Sequence, residues 1–392
     1  MATVILSAKR TPVGSFGGAL RDVHATDLGR VAAAAALEAA GVRPEQVDEV
    51  VFGSGGMPIA EANLGRQVGL ALGLPVEVPA YTVQRNCASG IQAIVSGLQE
   101  IALGDARLVL AGGAESMSSA PYLLYGARWG MRLRHGEVRD GIWEGLTDYY
   151  TGMVMGETAE ILADDYDISR REMDELAVES HQKAFKASRS GVFKDEIAPV
   201  EIPSRRGEAE VLRQDEGILA GLSVERLATA PATFRKGGRV TPGNSSPLND
   251  AGAATVLADE DWARSQGLRP IARIVSYAFV GLDPKRMGLG PVGATRKALD
   301  RAGLELKDID LIEINEAFAA QYLAVERELR WDRAIVNVNG GALALGHPIG
   351  ATGVRLVTTL VHEMRRRSVR YGLATLCVGG GQGASVILEV TD

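Results

Sequence analysis

Part of this sequence occurs twice. Residues Ala36–Gly53 read ALEAAGVRPEQVDEVVFG and residues Ala298–Asn315 read ALDRAGLELKDIDLIEIN, an offset of 262. In both, a helix end is followed by a glycine stop, a short acidic turn and a buried strand. A second pair follows at an offset of about 267, where VLAGGAES (109–116) and TLCVGGGQGAS (375–385) each run from an apolar stretch into a glycine cluster. Two matches at nearly one spacing outweigh generic α/β composition as an explanation, so the chain is expected to hold two related halves.

Each half alternates short β-rich runs with helical patterns, which predicts α/β layers with both faces of the sheet covered. In the first half, strands are expected at Thr3–Ala8, Val47–Gly53 and Leu108–Ala111, and helices at Asp27–Ala40 and Ala88–Leu103. In the second, strands are expected at Ala272–Phe279, Ile309–Ile314, Gly372–Val378 and Ser385–Val390, and helices at Gly293–Ala302 and Ala351–Arg366. Residues 118–247 break the pattern with a charged helix, Ser169–Ser188, and polar stretches such as Pro203–Gln214. Met153, Met155, Phe185 and Trp143 look buried there, so an inserted domain is expected. Ala253–Ala258 then returns to the first sheet. The boundaries are 1–117 plus 248–268, 118–247, and 269–392.

Composition narrows the function. Of 392 residues 46% are hydrophobic and 23% charged, enough to bury a large core. The 47 glycines show no Gly-x-y period and mark tight turns or close approach of backbone. Two cysteines, Cys87 and Cys377, exclude a disulfide framework and zinc-finger spacing. A net charge of −7 argues against non-specific nucleic-acid binding. With no targeting signal and no apolar run of about 18 residues, no membrane contact is expected and a cytoplasmic location is.

Cys87 stands in Gln-Arg-Asn-Cys-Ala-Ser-Gly just before apolar residues at helical spacing, Ile91, Ile94, Leu98 and Ile101. A helix N-terminus favours thiolate, as a nucleophilic cysteine needs; the competing reading is a small buried hydrophobe. His347 lies within a glycine-rich run, Gly-Gly-Ala-Leu-Ala-Leu-Gly-His-Pro-Ile-Gly, whose spacing is wrong for a dinucleotide fingerprint. Shifting Cys87 by 262 gives position 349, two residues from His347, so a pseudo-two-fold should bring the two helix N-termini together. The other histidines, His24, His135, His181 and His362, read as surface residues. Cys377 ends an apolar strand and enters Val-Gly-Gly-Gly-Gln-Gly, whose uncovered N–H groups could receive an oxyanion; a buried strand cysteine is the alternative. Asn315 follows the strand LIEI and reads as a helix N-cap, a functional group, or both. Asn249 and Asp250 read as turn residues.

Taken together, these motifs resemble the thiolase family, the acetyl-CoA acetyltransferases and 3-ketoacyl-CoA thiolases. The resemblance runs from Lys9-Arg10-Thr11-Pro12 through Asn86-Cys87-Ala88-Ser89-Gly90, Gly112-Gly113-Ala114-Glu115-Ser116-Met117 and Met155-Gly156-Glu157-Thr158. It continues in Gly243-Asn244-Ser245-Ser246 and Asn315-Glu316-Ala317-Phe318. It ends in Gly346-His347-Pro348-Ile349-Gly350 and Cys377-Val378-Gly379-Gly380-Gly381-Gln382-Gly383. Related ketosynthases usually carry histidine where Cys377 stands.

The resemblance implies a duplicated α/β/α/β/α layered fold with an inserted loop domain that holds coenzyme A. It implies that Cys87 carries the acyl group, His347 takes the thiol proton, and Cys377 is the acid/base at the α-carbon. Asn315 would orient a water that, with His347, forms one oxyanion hole; the N–H groups of Cys87 and Gly379 would form the other. Ser246 would meet pantetheine, Phe234 the adenine end, and Met155, Leu146, Met287, Ala317 and Phe318 the acyl group. Val154 and Leu219 depart from relatives that carry histidine or a phosphate-binding arginine there. The expected activity is reversible Claisen condensation or thiolysis in fatty acid metabolism. Acyl-CoA and CoA serve as substrates, with no metal or other cofactor, in a homodimer or homotetramer. A non-catalytic acyl-CoA-binding relative or complex subunit is the alternative, against which the complete set Cys87, Asn315, His347 and Cys377 speaks.

Overall fold

The computed structural model describes residues 2–56, 59–133, 135–202 and 210–391; the first seven residues of the polar stretch Pro203–Gln214 lie outside these. Nine strands form one continuous path: β1 (Thr3–Arg10), β2 (Glu49–Gly53), β3 (Ala80–Val83), β4 (Leu108–Ser116), β5 (Asn249–Asp259), β6 (Ala272–Gly281), β7 (Leu311–Ile314), β8 (Tyr371–Val378) and β9 (Gln382–Val390). Their order is β7-β8-β9-β6-β1-β5-β4-β2-β3, with the short strand Gly14–Ser15 added beside β5. Outward from its middle the path reads the same for four strands on each side, and β3 extends the first half by one more. β2 and β7 pair parallel with β4 and β8, which pair antiparallel with β5 and β9, and these in turn with β1 and β6. Among the described residues two pairs, Val4 with Arg273 and Ile5 with Ala272, join the halves into one sheet.

The repeated residues do the same work twice. Helix α1 (Ala25–Ala40) stops at Gly41 with φ +67°, and its counterpart (Gly290–Ala302, α5 below) stops at Gly303 with φ +65°. Both glycines adopt the left-handed cap that a side chain resists. The second repeat explains the insertion. In the second half a glycine turn joins β8 directly to β9, whereas in the first half residues 117–248 occupy the equivalent place between β4 and β5. Helices α3 (Met155–Asp165) and α4 (Arg170–Arg189) belong to that insertion.

Five layers result. Helices α2 (Ser89–Leu103) and α7 (Ile349–Arg367) lie between the half-sheets and share one core with both, through Ile91, Ile94, Leu356, Leu360, Val109 and Leu376. α1 covers the outer face of the first half. α5 and α6 (Ala319–Leu329) cover the second together with α3 and α4, so the insertion packs into the core of the second half. The central helices touch at glycine. A Cβ on Gly90 would come within 2.7 Å of the Val354 amide nitrogen, and one on Gly353 would meet that of Ile91.

Several expectations change. β4 continues past Ala111 through the glycines to Ser116, because Gly112 leaves room for the Phe52 ring. Asn249 and Asp250 are the buried start of β5, not a turn. Phe185 and Trp143 are exposed, Phe185 on the outer face of α4 and Trp143 at the rim of a cavity. His181 is buried, its Nδ1 accepting the Leu219 N–H at 3.1 Å, and His362 is half-buried with Nε2 donating to the Ala8 carbonyl. Only His24 and His135 are exposed as expected.

Candidate active site

Cys87 lies between β3 and α2, in a turn built for it. Asn86 takes the left-handed conformation, φ +44°, and the Ser89 hydroxyl donates to the Asn86 carbonyl at 2.7 Å while accepting the Arg85 N–H at 2.9 Å. Cys87 therefore precedes the first turn of α2 instead of sitting within it. The backbone N–H of Gly379 and that of Cys87 itself act to lower the pKa of its thiol. Burial outweighs them and raises it, so the expected lowering by the helix end is not the net result.

His347 sits in the tight loop before α7. Gly346, at φ +101°, brings the backbone against the Asn249 side chain, whose Oδ1 accepts the His347 N–H at 2.9 Å while Nδ2 donates to the Gly14 carbonyl. The ring is fixed from both sides. Its Nδ1 is 2.7 Å from Thr352 Oγ1, and that hydroxyl donates to the Pro348 carbonyl at 2.8 Å. The hydroxyl oxygen is thus left to accept, which assigns the proton to Nδ1 and the lone pair to Nε2. Burial, and after it the Arg355 charge, hold the imidazole down to about 3, so it is neutral at physiological pH.

Asn315 is one residue past β7. Its N–H donates to the Thr375 carbonyl, its Nδ2 is 3.4 Å from His347 Nε2, and its buried Oδ1 has no hydrogen-bond partner among the described residues. It is not an N-cap: α6 begins at Ala319 behind Phe318. Cys377 is buried on β8, packed with Met287 and Ala317 and flanked by Met155 and Phe318. Burial raises its pKa strongly, and the neighbouring Cys87 adds to the rise.

These groups meet at one cavity of about 490 Å³. Cys87, His347, Cys377 and Gly379 line it, as do Ser246, Met155, Leu146, Met287, Ala317, Phe318 and Phe234. Asn315 stands behind His347. Leu219 is exposed and does not line it. Phe234 and Phe318 meet edge to face at 6.1 Å, and the Ser246 N–H donates to the Ala317 carbonyl, tying the insertion to the loop after β7. A second opening of about 230 Å³ reaches Cys87 from the side of Asn86, Asp148, Tyr149 and Gly380. Sequence reasoning missed Phe16, Ile142, Trp143 and Leu248 on the larger wall, and Thr352 behind the histidine. For Thr352 a signal existed, a hydroxyl five residues after His347 on the same helix end. The apolar wall residues carried none, because only the tertiary fold brings them together.

The arrangement holds a thiol beside a backbone N–H that can receive an oxyanion, a neutral imidazole whose Nε2 carries the lone pair and a second buried thiol, which suits acyl transfer and α-proton removal. Comparison with known proteins agrees. The model of the thiolase N-terminal domain matches residues 3–261 and that of the thiolase C-terminal domain residues 268–390. The chain is 50% identical to an acetyl-CoA acetyltransferase of Pseudomonas aeruginosa over 98% of both chains. It is 47% identical to a mitochondrial 3-ketoacyl-CoA thiolase of Homo sapiens, over 99% of this chain and 98% of that protein. Among solved structures, the Bacillus anthracis acetyl-CoA acetyltransferase superposes with a TM-score of 0.98 at 49% identity, covering 100% of this chain and 99% of that one. A human mitochondrial 3-ketoacyl-CoA thiolase in complex with CoA gives 0.97 at 46%, covering 100% and 98%.

Proposed function

The chain belongs to the thiolase family, and from that premise we propose how its own residues carry the reaction. It is an acyltransferase that catalyses reversible Claisen condensation of acetyl-CoA with an acyl-CoA to a 3-ketoacyl-CoA and CoA, with thiolysis in reverse. A non-catalytic acyl-CoA-binding role is not favoured. The observation that carries the roles below is the convergence of both thiols, the His347 imidazole and the Gly379 N–H on one cavity.

In the first half-reaction, His347 Nε2 takes the Cys87 proton as the sulfur attacks the thioester carbonyl. The N–H groups of Cys87 and Gly379 receive the oxyanion; losing one such donor costs about 2.7–4 kcal/mol of barrier. The bond to the CoA sulfur breaks, and His347 returns the proton to it. In the second half-reaction, the Cys377 proton passes to His347 Nε2. The Cys377 thiolate removes the α-proton of acetyl-CoA, and the imidazolium and a water held on Asn315 receive the enolate oxygen. The enolate carbon attacks the acyl group on Cys87, and the released thiolate regains its proton from His347. A thiol that burial makes reluctant to ionise is a strong base once it has done so, as a weak carbon acid requires. These steps call for no metal or redox group.

Ser246 and Phe234 would hold the pantetheine and adenine ends, with Met155, Leu146, Met287, Ala317 and Phe318 around the acyl group. A relative solved with CoA supports CoA binding, and the second opening at Cys87 gives room for a longer acyl chain. A homodimer or homotetramer is supported by the exposed side chains of Tyr122, Trp129 and Leu133 in and beside the hairpin Tyr122–Leu124/Val138–Asp140. A role in fatty acid metabolism is supported by the likeness to 3-ketoacyl-CoA thiolases, and a cytoplasmic site is proposed for a chain in which no described helix is long and apolar enough to cross a membrane. The test is thiolysis of 3-ketoacyl-CoAs of increasing length, read as kcat/KM, with acetoacetyl-CoA expected to turn over. Absence of turnover across the series would overturn the reading.

A further inference from the structure

Asn86 is a non-glycine residue held at φ +44°, an uncommon backbone state that tends to mark functional sites. Its side chain faces the other half of the molecule: Nδ2 donates to the Gly379 carbonyl at 2.9 Å. The residue before it does the same. Arg85 Nη1 donates to Gln382 Oε1 at 2.8 Å and Nε to Gln92 Oε1 at 2.8 Å, with the guanidinium 4.2 Å from the centre of the Phe279 ring. Two adjacent side chains of the first half thus grip both ends of the Gly379–Gln382 turn of the second. That turn has little rigidity of its own, since Gly380 and Gly381 carry no side chains and sit at φ +84° and +80°. Gly379 lines the same two openings as Cys87, and its N–H acts on the Cys87 thiol to lower its pKa.

We propose that Asn86 is a positioning residue for the acylation step, holding the Gly379 carbonyl so that the N–H of the same residue stays aimed at Cys87 and at the oxyanion formed there, with Arg85 as the second anchor. The proposal rests on the roles of Cys87 and Gly379 given above. The carbonyl and the N–H of Gly379 belong to adjoining peptide planes separated only by the two backbone torsions of that residue, so anchoring the carbonyl narrows how far the N–H can turn, and preorganised donors are worth most when nothing must move during reaction. The left-handed backbone follows from the same requirement, because it turns the Asn86 side chain across the interface while Cys87 starts the approach to α2.

Two variants test it. Asn86→Gly keeps the left-handed backbone and removes the donor; Asn86→Asp keeps the size and replaces the donor by an acceptor facing a carbonyl. Single-turnover acylation by acetyl-CoA should fall about tenfold in Asn86→Gly, the loss expected for one hydrogen bond, and further in Asn86→Asp, with KM and melting temperature near wild type. Alkylation of Cys87 by iodoacetamide should move to higher pH in both, because the sulfur shares the Gly379 donor; a merely structural role would not move that profile. Wild-type acylation and alkylation profiles in both variants would overturn the proposal. Acylation that persists in Cys87→Ala would instead overturn the nucleophile assignment on which it rests.

Discussion

His347 and Thr352 are joined through Nδ1 and Oγ1 at 2.7 Å, with the Thr352 hydroxyl spent on the Pro348 carbonyl one helical turn back. One side chain thereby decides which imidazole nitrogen faces the cavity with a lone pair. Thr352→Val removes the acceptor and leaves the tautomer free. kcat for thiolysis should fall at least about tenfold with KM little changed, and Thr352→Ser should restore it. Equal activity in the valine variant would show that the tautomer is set elsewhere.

Cys377→Ser separates the half-reactions. Acyl-CoA should still load Cys87 in a burst, whereas condensation should slow by about 10²–10⁴, the usual contribution of a positioned acid/base. Rapid-quench measurement of the burst and of the steady state reads both rates. Loss of the burst with condensation intact would reverse the assigned roles.

The contact between the central helices gives a stability prediction. Gly353→Ala puts a methyl group against the backbone of α2 near Ile91, where no side chain can yield. Overpacking of this kind costs about 1–3 kcal/mol, to be seen as a lower urea midpoint at unchanged m-value. No change in the midpoint would mean that α2 and α7 separate more easily than their packing indicates.

His181 supplies a pH dependence. Burial holds its pKa down to about 4, against about 6.5 in the unfolded chain. Below pH 6.5 the unfolded state takes a proton that the native state refuses, so stability present above 6.5 is lost as pH falls toward 4. The loss reaches up to about 3 kcal/mol. His181→Asn, which keeps an acceptor for the Leu219 N–H, should flatten the stability curve between pH 6.5 and 4. An unchanged slope would show that another group carries the acid sensitivity.

The duplicated architecture could be read from the sequence because each repeat carries its own stop signal, Gly41 and Gly303, ahead of strands that occupy mirrored places in the sheet. The same offset sets Cys87 opposite the start of α7. Cys87, His347 and Cys377 stood out because reactive side chains beside glycine are informative locally. What could not be read depends on partners distant in sequence. Asn249 looked like a turn because nothing in Asn-Ser-Ser-Pro-Leu-Asn-Asp announces His347, a residue 98 positions away that it holds. His181 looked exposed because the residues around it on α4 are charged and polar, while its own ring is buried against the Leu219 N–H, 38 positions away. The expected lowering of the Cys87 pKa considered the helix end without the burial that opposes it.

The central claim is that acyl groups pass through Cys87. Quenching the protein with acetyl-CoA at low pH, followed by peptide mass spectrometry, should find one acetyl group on the peptide that carries Cys87 and none in Cys87→Ala. CoA binding by the variant should remain near wild type. An acetyl group on another residue, or wild-type labelling and turnover in Cys87→Ala, would contradict the account.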